Sequence, residues 1–182
     1  DPKLVQLVEE LADIVAQAEL EGVGEKQQRD NRKVLLFSYF ADTVDWIVHH
    51  LDRVCDPTSP IHDPRLAAYH GRIAAVTGSN HDPRAMYGFA PDTTDAPPGE
   101  TDRFDLLVAT DVLAEGVNLQ QARHVVNYDL PWNPQKVTQR HGRVDRLRSK
   151  HKEVFIRCFF PDRDLDRLLE LEVRLVRKMR QA

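Results

Sequence analysis

The segment Val137–Arg146, VTQRHGRVDR, sets three arginines, a glutamine and a glycine within ten residues. At about 100° per residue, Val137, His141 and Val144 share one side of a helix. Gln139, Arg143 and Arg146 fall within a sector of about 60° on the opposite side. Such a helix packs through its valines and holds out one glutamine and two guanidiniums, with Gly142 leaving room for a close approach. Two guanidiniums converging from one face repel each other unless an anion lies between them. Arginine suits a phosphate in that place, because its planar fork offers paired donors and keeps its charge. Gln139, Arg143 and Arg146 are therefore the first candidates for chemistry.

Other constellations read more simply. Cys55, His62 and His70 do not match a common zinc spacing and have no fourth ligand. The run DRDLD, Asp162–Asp166, imitates the start of a calcium loop, but Arg167 and Val173 stand where glycine and glutamate are required, so it reads as a helix cap after Pro161. His49 and His50 read as the end of a helix, where imidazole suits the dipole. Trp46 reads as core on an amphipathic helix.

The elements that must position the candidates follow from apolar spacing. Leu4, Leu7, Val8, Leu11, Ile14 and Val15 predict a helix over residues 4–18, ended by Gly22 and Gly24. EKQQRDNR reads as a loop. KVLLFSYF, RIAAVTG, FDLLVATD, HVVNYDL and VFIRCFF read as five strands. ADTVDWIVHHL predicts a helix capped by Asp42 or Thr43, and DPRAMYGF a short one with Pro83 in its first turn. Residues 55–71, with three prolines, read as loop, as does APDTTDAPPGETD. Asn133 and Pro134 open the helix that carries the arginines. A last helix is expected from about Asp164 to Met179, with Leu165, Leu168, Leu169, Val176 and Met179 inward.

Strands that are uninterrupted apolar runs, alternating with helices, imply an α/β fold: a mostly parallel sheet with helices on both faces. Such sheets bind ligands beyond the carboxyl ends of their strands. The residues to inspect are thus Ser38, Tyr39, Thr77, Gly78, Thr110, Asp111 and Tyr128–Asn133.

With 182 residues the chain can bury a sizeable core, and no apolar run is long enough for a membrane span. Two cysteines without a CxxC spacing suggest free thiols in a reducing, cytoplasmic setting. The net charge of −4 conceals an asymmetry. From Trp132 to Arg180 there are 14 Lys and Arg against 7 Asp and Glu, and elsewhere 11 against 22. The positive charge is concentrated around the arginine motif.

The stretch LLVATDVLAEGVNLQQARHVVNYDLPWNPQKVTQRHGRVDR resembles motifs V and VI of superfamily 2 helicases and translocases. VLLFSYFADTVDWI resembles their motif IV, and VTGSNHDPRAMYGF the strand and helix that follow it. The GVNLQ…VVNYDLPWNP form is most similar to the Swi/Snf-type branch, and the likeness covers roughly residues 33–160. It implies a RecA-like three-layer sandwich, the C-terminal one of two motor domains with ATP between them. By motif position, Arg143 and Arg146 match arginine fingers, and Gln139 a polar neighbour of the γ-phosphate or its attacking water. Gly116 and Asn118 match positions that line the nucleotide. Thr110, Thr77, Gly78 and Ser38 match contacts to the nucleic-acid backbone, with DNA favoured over RNA. Asp145 before Arg146, Ser149 in place of a glycine, and Glu115 where many RNA helicases have arginine depart from the pattern.

No GxxxxGK[ST] and no D-E-x-x box occur in the chain. Phosphoryl transfer needs both a phosphate cradle and a magnesium carboxylate. ATP and Mg²⁺ are therefore expected to be bound mainly by an N-terminal RecA-like domain of a longer protein, from which this chain, beginning at Asp1, is cut. The expected organisation is an N-terminal helix and linker (1–30), a helicase C-terminal RecA-like domain (31–161) and a C-terminal helix (162–182). The expected function is the second motor domain of a nucleic-acid-dependent ATPase, inactive alone. The alternative is a non-catalytic nucleic-acid-binding or scaffold module that retains the fold.

Overall fold

The computed structural model of the chain describes residues 1–80, 82–114, 117–131, 134–142, 144 and 150–159. Five four-residue strands form its centre: β1 (Val34–Phe37), β2 (Ile73–Val76), β3 (Leu106–Ala109), β4 (His124–Asn127) and β5 (Phe155–Cys158). Their order is β2-β3-β1-β4-β5, and every neighbouring pair is parallel. Val34 pairs with both Leu106 and His124, which puts β1 in the middle.

The apolar runs are continuous because the central strands are buried on both faces. Val34, Leu36, Leu106, Val108 and Val126 point into one apolar layer, and Leu35, Phe37, Leu107, Ala109 and Val125 into the other. The first layer is closed by α1 (Pro2–Glu21), α3 (Ala41–Cys55) and a 3-10 helix at Pro64–Tyr69. The second is closed by α4 (Pro83–Phe89) and by Leu113, Leu119, Ala122 and Val144. Helices on both faces of a parallel sheet make this the α/β arrangement expected from the apolar runs, and it fits the RecA-like sandwich that the resemblance implies.

Several local expectations are corrected. EKQQRDNR is not a loop but α2 (Glu25–Arg32). It has no apolar face, and polar anchors hold it instead: Gln121 Nε2 donates to Asp30 at 2.9 Å, and Arg32 pairs with Asp105 at 2.7 Å. Residues 64–69 of the expected loop form the 3-10 helix, capped by Asp63. The α3 cap is Phe40, without a side-chain bond, rather than Asp42 or Thr43. His49 and His50 lie inside α3, which runs on to Cys55. Trp46 is 43% exposed rather than core, because Val44, Ile47 and Leu51 fill the buried stripe.

Helix α5 (Pro134–His141) was expected to continue to Arg146 but ends at His141. Gly142 N–H still bonds Thr138, while Val144 N–H bonds His141, the tighter pattern of a closing helix at a glycine. The shared face proposed for Gln139, Arg143 and Arg146 therefore lies, beyond Gln139, outside the described residues. So do the run Asp162–Asp166 and the last expected helix.

At the amino ends of the strands, fully buried Asp105 meets Arg32, Arg72 at 2.8 Å and Lys33 at 3.6 Å. Lys33, also fully buried, pairs with Asp102 at 2.8 Å. Burial alone would raise the Asp105 pKa, but the Arg72 hydrogen bond and the surrounding cations hold it below the usual value. Burial lowers the Lys33 pKa, with Asp102 pulling the other way.

Candidate functional site

The opposite, carboxyl edge of the sheet gathers polar side chains from neighbouring strands. Ser38 follows β1, fully buried. Its N–H bonds Ala109 at 3.0 Å, and its hydroxyl donates to Asp129 Oδ2 at 2.6 Å. Lys3, at the start of α1, reaches the same carboxylate at 3.0 Å and donates to the Tyr128 carbonyl at 2.9 Å. Burial, and next the Asp129 charge, push the Tyr128 pKa up to about 12. Thr110 follows β3, and its N–H bonds Val76 at 3.1 Å.

Thr77 closes a tight turn after β2. Its Oγ1 accepts from Asn80 N–H at 3.1 Å, and its N–H bonds the Asn80 carbonyl at 2.9 Å. Gly78 is exposed beside Val112, whose Cγ2 would lie 3.6 Å from an added Cβ, so the site tolerates a methyl group. Sheet order thus sets Gly78, Thr110 and Ser38 along one edge.

Helix α5 borders this edge, with Val137 buried and Gln139 exposed. Next to Gln139 stands Arg140, fully buried and without a role from sequence. Its Nε donates to Asp111 Oδ1 at 2.6 Å, and its Nη1 donates to Asn127 Oδ1 at 3.0 Å and to the Asp129 carbonyl at 3.1 Å. Its guanidinium lies 5.1 Å from the Phe37 ring. One sequence signal was present: Arg140 falls about 40° from Val144 on a helical wheel, on the packing side. An arginine on an apolar face signals a buried ion pair, but its partners, Asp111 and Asn127, are distant in the chain.

The structure thus brings together Ser38, Thr110 and the helix of Gln139, with Thr77 and Gly78 beside them. Asn118 stands apart among the described residues. Its Oδ1 accepts from Gln120 N–H at 3.1 Å and its carbonyl accepts from Thr93 at 3.2 Å, in the loop before β4. Gly116, Arg143 and Arg146 lie outside the described residues. Among those residues, no group of three His, Cys, Asp or Glu is placed to hold a metal ion, and no helix is long and apolar enough to cross a membrane. The exposed amide of Gln139 offers both a donor and an acceptor at this edge.

A model of the family described as helicase conserved C-terminal domain matches residues 7–148. The chain is 51% identical over 54 residues to YqhH of Bacillus subtilis (strain 168), named as an uncharacterized ATP-dependent helicase, covering 30% of this chain and 10% of that protein. It is 28% identical over 152 residues to the ATP-dependent RNA helicase dbp-8 of Neurospora crassa, covering 84% of this chain and 20% of that protein. Among solved structures, the C-terminal part of the Fun30 ATPase domain aligns with a TM-score of 0.52 at 19% identity, over 76% of this chain and 38% of that one, a likeness of fold. The chain spans only 10% and 20% of the lengths of those two curated relatives.

Proposed function

Because this chain belongs to the family of helicase conserved C-terminal domains, we propose that it is the second RecA-like motor domain of a nucleic-acid-dependent ATPase. One observation carries the reading: the polar ends of β1, β3 and β4 converge with α5 at a single edge. That is where an open parallel sheet takes its ligands.

Arg143 and Arg146 act as arginine fingers on a γ-phosphate, Gln139 stands beside that phosphate or its attacking water, and Gly116 with Asn118 lines the nucleotide. ATP and Mg²⁺ are held mainly by an N-terminal RecA-like domain of the same full-length protein. The nucleic acid runs along the strand ends. There the hydroxyls of Ser38 and Thr77 are engaged internally and shape the surface, while the exposed Gly78 and the Thr110 region meet backbone phosphate. The GVNLQ…VVNYDLPWNP form is what supports the Swi/Snf-type branch, and duplex DNA is the nucleic acid proposed, with RNA as the other arm of the test. The free thiols of Cys55 and Cys158 support a reducing, cytoplasmic setting.

The test is ATP turnover of the full-length protein, with duplex DNA, with RNA and with neither. Arg146→Ala should lower stimulated turnover by about 10³- to 10⁵-fold. Arg146→Lys should not restore it, since a point charge does not reproduce the fork. The exposed Lys152 supplies the control, Lys152→Ala. A folded Arg146→Ala protein that keeps turnover within about tenfold of wild type ends the finger assignment.

A further inference from the structure

Arg140 is among the largest fully buried side chains of the molecule. A buried guanidinium is a poor choice for stability alone, because an apolar side chain of similar size usually serves as well or better. Its bonds suggest another use. Through Nε it holds Asp111, at the end of β3, and through Nη1 it holds the Asn127 side chain and the Asp129 carbonyl, at the end of β4. Asn127 also sets its Nδ2 3.1 Å from His141 Nε2, so consecutive residues of the last turn of α5 are tied to one strand end. Gln139 precedes them and Arg143 and Arg146 follow.

The junction is also incompletely bonded. Among the described residues, Arg140 Nη2, Asp111 Oδ2 and Thr110 Oγ1 are buried without a hydrogen-bond partner. Lys136 Nζ lies 3.5 Å from that Asp111 oxygen. With Asp111 Oδ2 held only by that ion pair, and Arg140 Nη2 and Thr110 Oγ1 unbonded, the junction is freer to exchange partners than a fully bonded network. Thr110, on the expected nucleic-acid surface, is the chain neighbour of Asp111. Gln139, on the expected nucleotide side, is the chain neighbour of Arg140.

We propose that Arg140 and Asp111 form a positioning clamp that couples occupancy at the carboxyl ends of β3 and β4 to the placement of Gln139 and the arginines that follow it. The clamp rests on the motor reading above. It touches neither nucleotide nor nucleic acid, and acts by fixing the last turn of α5 against two strand ends.

Two variants of the full-length protein test it. Asp111→Glu keeps both charges and lengthens one arm by a methylene. The paired Asp111→Asn/Arg140→Gln removes both charges, so that neither is left buried alone. Three quantities are measured: the melting temperature, the Kd for DNA at fixed salt, and the ratio of ATP turnover with saturating DNA to turnover without. The clamp predicts that both variants melt near wild type and bind DNA within about threefold. Their stimulation ratio should fall by about tenfold or more, a typical size for coupling between sites. A folded variant with the wild-type ratio overturns the clamp, as does a lost ratio in Asp111→Glu that merely tracks a lost melting temperature. If the wild-type protein itself shows no stimulation, the motor reading fails and the clamp fails with it. Stimulated wild type with equally stimulated variants removes the clamp alone.

Discussion

His124, at the start of β4, is held as a neutral imidazole of one tautomer. Its Nε2 lies 2.9 Å from the Asn31 carbonyl, which only accepts, and its Nδ1 lies 2.8 Å from Arg157 Nη1, which only donates. The proton therefore sits on Nε2. Burial, then the Arg157 charge, pushes the pKa down from 6.5 to about 3, against the opposing pull of the Asn31 carbonyl. On acidification the unfolded chain takes up this proton first. The stability His124 contributes is thus complete above about pH 6.5 and is lost as pH falls from there toward 3. A calorimetric series should show melting temperature dropping across that window, and His124→Gln should flatten the drop. An unchanged acid limb in the variant would place the sensitivity elsewhere, with His151, whose pKa burial also lowers, as the next residue to replace. Such residues mark the limit of reading a sequence. Ser38, Thr77 and Thr110 were legible as strand-end residues because each directly follows an apolar run. His124 and Arg140 were missed because the partners that explain them, Asn31 and Asp111, are brought near only by folding.

At the level of elements, β1 and β3 were legible because each is an apolar run without alternation, which a strand covered on both faces demands, whereas the edge strand β5 carries Arg157 and an exposed Ile156 within its run. Helix α2 was not, since no periodicity in EKQQRDNR tells that Asp105 and Gln121 will anchor it from a distance. Helix α5 was read too far, since the valine spacing continues past Gly142 while the backbone does not. The anchoring of α2 has a measurable weight. Asp105→Asn leaves Arg32, Lys33 and Arg72 around a neutral amide and should cost about 3–5 kcal/mol, the usual effect of orphaning buried charge. Urea denaturation of the chain measures it. A change under about 1 kcal/mol would mean that the three cations find other partners or are better hydrated than their burial implies.

For the whole molecule, the reading as one half of a two-domain motor carries two expectations. The chain by itself should not hydrolyse ATP above background, with or without DNA; turnover that scales with protein and survives repurification would sink that reading. Its binding to DNA should be weak, independent of sequence and sharply reduced by salt, because backbone phosphates are the expected contacts. Fluorescence anisotropy over a salt series checks this, and tight or sequence-selective binding would point to a dedicated recognition module. The α/β class was legible from the alternation of apolar runs and helices, but the strand order was not, because among the described residues every pairing is between parallel strands and no hairpin fixes a neighbour. That order bears on how the chain acquires its shape. The central strand, β1, is made early, yet Val34 finds its two partners only at Leu106 and His124. During synthesis or refolding, β1 must wait, with both edges open, for chain far downstream. Loop closure on that scale is slow, and unpaired apolar edges attract other chains in the meantime. Yield on refolding should therefore fall with protein concentration even where the native state is stable.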